Sequence, residues 1–147
     1  MIEYKIEKFG QLWPDLGEHL TQHWQEVASM PEFPLKIDIQ KFSFLEKNGW
    51  LVCASARNDG KLVGYCIDII HKHPHYMDVL CATADAYYID PQFRAKCARG
   101  LNKFIEKHEK GLGVYIRVVR VKEVNNAGPF YKAMGYSHLE EALGKRL

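Results

Sequence analysis

Apolar and polar residues alternate over the first nine positions, with Ile2, Tyr4 and Ile6 set against Glu3, Lys5 and Glu7. This is the two-residue period of a half-buried strand. The period then lengthens. Leu12, Leu16, Leu20, Trp24 and Val27 predict an amphipathic helix over 11–28, with Pro14 near enough to its start to sit in a first turn. Pro31-Glu32-Phe33-Pro34 ends it, and Asp38 can cap a second helix to about residue 47, stopped by Asn48-Gly49. Strands at 50–57 and 61–70 flank Asn58-Asp59-Gly60, a strong hairpin turn signal. Residues 71–78 read as a polar loop and 79–89 as a further strand. Residues 96–110 form a helix with Cys97, Leu101, Phe104, Ile105 and His108 inward, stopped by Gly111-Leu112-Gly113. A β-branched strand follows at 114–121, then a loop at Asn125-Asn126, a short helix near 128–134, and the start of a last strand or hairpin at 136–139.

A hairpin requires antiparallel pairing, whereas strand, helix, strand requires a parallel pair. The expected fold class is therefore mixed α/β (α+β), a mostly antiparallel sheet of about six or seven strands with helices on both faces. A length of 147 residues suits a single domain, 1–147, and 47% hydrophobic with 26% charged residues suits an ordinary folded chain. A net charge of +2 gives no general pull toward nucleic acid. No apolar run approaches the ~18 residues that span a bilayer, and Met1-Ile2-Glu3-Tyr4-Lys5 does not open a signal peptide. The expectation is a cytoplasmic protein with no membrane partner. Cys53, Cys66, Cys81 and Cys97 form no C-x-x-C pair and read as reduced core thiols.

Candidate chemistry concentrates in Tyr87-Tyr88-Ile89-Asp90-Pro91-Gln92-Phe93-Arg94-Ala95-Lys96-Cys97-Ala98-Arg99-Gly100, where an apolar strand turns through a basic loop into a helix. First-turn N–H groups lack internal partners and sit at the positive end of the helix dipole, which suits a phosphate. Arg94, Lys96 and Arg99 add charge, and those cations should depress the Cys97 thiol. A turn whose cations are merely solvated fits the same residues. Asp85 is the one ionisable group within its strand, costly there unless hydrogen-bonded or functional. His71-Lys72-His73-Pro74-His75 alternates as metal ligands can, but Pro74 interrupts it and no acid or thiol is near in sequence, so no metal is expected. The strip Arg94, Lys96, Arg99, Lys103, Lys107 and Lys110 is offset by Glu106 and Glu109, and a solvated face accounts for it better than nucleic acid does.

With Pro129-Phe130-Tyr131-Lys132-Ala133-Met134-Gly135-Tyr136, the junction and the element order resemble the GNAT superfamily of acyl-CoA-dependent N-acetyltransferases over nearly the whole chain. The resemblance implies acetyl-CoA as co-substrate and an amine acceptor, small molecule or peptide. It implies that residues 94–99 (Arg94, Ala95, Lys96, Cys97, Ala98, Arg99) cradle the pyrophosphate. Main chain at Tyr88 and Ile89, where the strand should depart from straight pairing, and Asn125 would hold the pantetheine arm. Tyr131 would be the acid facing sulfur and Asp85 the base; a core tyrosine and a satisfied carboxylate are the plainer alternatives. Cys97 and Arg99 stand where the pattern has small residues, and Gly100 comes one position late. That departure, and a tail resembling those of some bacteriophage GNAT-like proteins, leave a non-enzymatic, partner-binding module as the alternative, with a homodimer open to either.

Overall fold

The sheet's register starts from one turn. In the computed structural model, which describes residues 1–147, Asp59 and Gly60 take φ of 50° and 83°. Two successive positive φ values match the right-handed twist of the flanking strands. Asn58 therefore faces Lys61, joining β2 (Leu51–Asn58) to β3 (Lys61–His73). β1 (Ile2–Glu7) pairs antiparallel with β2, and β4 (Tyr76–Ile89) antiparallel with β3. β5 (Val114–Val119) lies parallel to β4, giving one five-stranded sheet in the order β1-β2-β3-β4-β5. The mixed class expected from the sequence is the class observed.

Helices cover both faces. On one, α3 (Arg94–Gly111) buries Cys97, Leu101 and Ile105 against Val52, Ala54, Cys66, Ile70 and Ala82. On the other, α1 (Phe9–Val27) buries Phe9, Leu12 and Leu16 against Cys53, Leu62, Tyr65 and Tyr88. α2 (Ile39–Lys47) begins where Asp38 accepts the Lys41 N–H at 2.9 Å, and its Phe42 stacks on Phe9 at 5.0 Å. α4 (Gly128–Ala133) is a short helix after β5. Gly100 has a packing role: a Cβ there would collide with the Tyr4 hydroxyl of β1.

Two segments differ from expectation. The loop expected at 71–78 is the tip of a long β3–β4 hairpin, with His73 opposite Tyr76 and Pro74-His75 at the turn. Proline is harmless at the turn because no ladder bond is asked of its nitrogen. The strand expected at 136–139 does not form, so the sheet stops at five. Tyr136 is instead anchored by its side chain: its hydroxyl donates to Glu106 (2.7 Å) and accepts from Arg117 (2.8 Å).

Candidate functional site

The sheet fails at one place. Ile67 pairs with Ala86 and Asp68 with Ala84, so Asp85 is the extra residue of a bulge in β4. The β4–β5 ladder ends at Ala84 opposite Val119. Past that point β4 keeps only β3. The Asp90 N–H donates to the Val63 carbonyl at 2.9 Å, and antiparallel alternation then turns the main chain of Tyr87 and Ile89 away from β3, into the gap. The departure from straight pairing thus begins at Asp85, earlier than expected. The gap is a cleft of about 470 Å³, walled by β4, the end of β5, α1, the start of α3 and α4.

Asp85, Tyr88, Ile89, Arg94, Ala95, Ala98, Asn125 and Tyr131 all line this cleft. Tyr131 is 6% exposed, in edge contact with Phe130 (5.1 Å) and Tyr136 (5.3 Å), and its hydroxyl makes no hydrogen bond within the protein. Burial, then the nearby Cys66, raises its pKa, so the proton is retained at neutral pH. Asp85 is exposed at the cleft, and partial loss of water around it, then Asp68, raises its pKa, while Lys41 and Lys122 pull it back.

Lys96, Cys97 and Arg99 do not line the cleft. Lys96 and Arg99 project into solvent, and Cys97 is fully buried in the core between α3 and the sheet. The expected depression of its thiol pKa is overturned: burial raises it, and Lys96 offsets this only in part. The reason is helical phase, since Cys97, Leu101 and Ile105 share the inward stripe. Arg94 is at the mouth but engaged. Its Nη2 donates to both carboxylate oxygens of Glu26 on α1 (2.5 and 2.7 Å) and its Nε to the Ile89 carbonyl (3.0 Å).

Sequence reasoning missed the α1 wall. His23 and Glu26 line the cleft, and His23 stacks on Tyr88 at 5.3 Å. His23 Nδ1 lies 2.8 Å from the Tyr65 hydroxyl, which is fully buried with no other partner. Donating to Nδ1 satisfies the Tyr65 O–H, and the imidazole then carries its proton on Nε2. Burial lowers the His23 pKa and keeps the ring neutral. The available signal was spacing: His19, His23 and Glu26 fall on adjacent turns of one helix face.

Beneath the paired half of β4 lies a closed ionic cluster. Arg117 donates to Asp68 (2.5 Å), Asn102 (2.9 Å) and Tyr136 (2.8 Å). Glu109 is 2% exposed, 3.5 Å from Arg117, and neither of its oxygens has a hydrogen-bond partner. Burial and then Asp68 push its pKa up to about 9, so it is a neutral acid at pH 7. The expectation of a solvated Glu109 with His108 inward is corrected: Glu109 holds the inward position because β5 presents Arg117 to it.

The acetyltransferase (GNAT) family model matches residues 13–136. No curated protein matches the chain in sequence. Among solved structures, a ribosomal-protein-alanine N-acetyltransferase from Brucella melitensis biovar Abortus 2308 superposes with a TM-score of 0.76 at 17% identity, covering 100% of this chain and 99% of that one. A transcriptional regulator from Bacillus halodurans C-125 superposes at 0.79 and 15% identity, covering all of both chains. A predicted acetyltransferase with acetyl-CoA from Clostridium acetobutylicum gives 0.73 at 16%, covering 99% and 96%. No group of three or more His, Cys, Asp and Glu side chains converges as metal ligands would, and no helix is long and apolar enough to cross a membrane.

Proposed function

The chain belongs to the acetyltransferase (GNAT) family, and we propose that it transfers the acetyl group of acetyl-CoA to a primary amine by direct attack in a ternary complex. The reading takes 1–147 as one catalytic domain acting in the cytoplasm on a small-molecule or peptide amine. Acetyl-CoA supplies a thioester carbon open to attack. The open edge of β4 offers the Tyr87 main chain and the Ile89 N–H to an extended ligand, which fits a pantetheine arm, while the Ile89 carbonyl is held by Arg94. Asp85 takes a proton from the acceptor ammonium, a step helped by its raised pKa. The amine then forms the C–N bond as the C–S bond breaks, the Ile89 N–H stabilises the carbonyl oxygen as charge gathers on it, and Tyr131 gives its proton to the departing thiolate. The proton that the nitrogen sheds on becoming an amide passes through solvent to restore Tyr131.

The observation that carries this reading is the Tyr131 hydroxyl, which opens onto the cleft from a buried ring and has no protein partner. A tyrosine serving only the core more often ties its hydroxyl to a protein group. Tyr131→Phe should lower kcat by roughly 10²-fold while the Kd for acetyl-CoA, measured by calorimetry, holds. Unchanged turnover in a folded variant removes Tyr131 from the reaction. One observation favours the non-enzymatic alternative: Glu26 already occupies the Arg94 guanidinium. Absence of heat at millimolar acetyl-CoA would promote that reading.

A further inference from the structure

Charge does not balance around Asp85. The cleft wall carries two carboxylates, Glu26 and Asp85, and three cations, Arg94, Arg120 and Lys122. Glu26 and Arg94 neutralise each other. Neither Arg120 nor Lys122 has a carboxylate within ion-pair distance, and Lys122 Nζ is instead held by the Ser29 hydroxyl at 3.1 Å, where α1 ends. One free carboxylate, Asp85, therefore shares the cleft wall with two free cations, Arg120 and Lys122, all three exposed.

We infer that the acceptor is a small amine carrying its own anionic group, a carboxylate or a phosphate, which Arg120 and Lys122 draw in while the amine meets Asp85. This rests on the acetyltransferase reading and narrows it. When Asp85 takes the acceptor's proton it becomes neutral, and Arg120 and Lys122 are left with no carboxylate paired to them. An anion on the acceptor supplies that counter-charge, through charge-assisted hydrogen bonds. A polyamine brings further positive charge into the same space and is repelled.

The test uses matched amines on the full chain with saturating acetyl-CoA, after calorimetry has established that acetyl-CoA binds. Glycine against glycinamide examines the carboxylate, O-phosphoethanolamine against ethanolamine the phosphate, and spermidine the polycation. Rates are compared per concentration of neutral amine, since the pairs differ in basicity. The expected result is a kcat/KM at least about tenfold higher for the anionic member of one pair, with spermidine poorest. The arm that responds identifies the anion. An Arg120→Gln, Lys122→Gln double variant should collapse that ratio to about twofold or less while its Kd for acetyl-CoA holds. Equal rates within both pairs, preference for spermidine, an undiminished ratio in the variant, or failure of every anionic amine to react with the loaded protein overturns the inference. Failure of acetyl-CoA to bind overturns the acetyltransferase reading itself.

Discussion

The two halves of β4 have opposite fates. Up to Ala84 the strand lies between β3 and β5, its backbone satisfied on both edges, above the sealed Asp68–Arg117 pair. Past Asp85 it keeps one neighbour, and Tyr87 and Ile89 turn an open edge toward a cleft whose wall holds the unbonded Tyr131 hydroxyl. One bulged residue divides them. The closed half spends its polar groups on one another and serves stability. The open half leaves polar groups unspent beside a cavity, and unspent polar groups are what bind and react.

Breaking the closed half should give the largest effect. Arg117→Met strands Asp68 without its cation and should cost about 3–5 kcal/mol of unfolding free energy, as removal of one member of a buried pair does. Urea denaturation would measure it, and a loss under 1 kcal/mol would mean that the cluster is wet. On the open half, Asp85→Asn should lower kcat/KM by about 10²-fold with little change in melting temperature. Wild-type kcat/KM should rise with pH through a group titrating above the ordinary aspartate value, a limb the variant loses.

Glu109 sharpens the comparison by its sign. Its folded pKa of about 9 lies far above the ordinary value of 4.5, so across that window the folded chain keeps a proton that the unfolded chain gives up. Stability must therefore fall as pH rises between those values. Glu109→Gln mimics the protonated acid and should be neutral near pH 4, yet increasingly stabilising as the pH rises to 8 in thermal scans. A destabilising Gln at pH 8 would show that Glu109 is charged in the fold. The smallest effect belongs to Cys97, whose buried thiol should resist iodoacetamide in the native state and react on unfolding.

Much of this architecture was legible because local chemistry decides it. Asn58-Asp59-Gly60 demands a tight hairpin, Asp38 caps α2, and the apolar stripe from Leu101 to Ile105 points α3 inward. Asp85 and Tyr131 were legible too, as a carboxylate inside a strand and a tyrosine in a recognisable setting, and both line the same cleft. What escaped depends on partners distant in sequence. Glu109 is inside only because Arg117 arrives from β5, and His23 lines the cleft only because Tyr65 and Tyr88 lie beneath it. Helical period alone puts His108 inward on α3, whereas Glu109 is the buried residue, because a neutral acid beside an arginine can be buried. The unformed strand at 136–139 has the same origin, since the sequence does not reveal that Tyr136 is tied down by Arg117 and Glu106.

The central claim is that the open edge of β4 receives the acyl donor, and amide resonances test it directly. In ¹⁵N-labelled protein, saturating acetyl-CoA should shift the Tyr87 and Ile89 amides and slow their hydrogen exchange, because each gains an acceptor where β5 is missing. Residues 80–84, already paired on both sides, should barely change. Acetyl-CoA binding that leaves Tyr87 and Ile89 exchanging as fast as in the free protein would contradict the account and put the donor elsewhere.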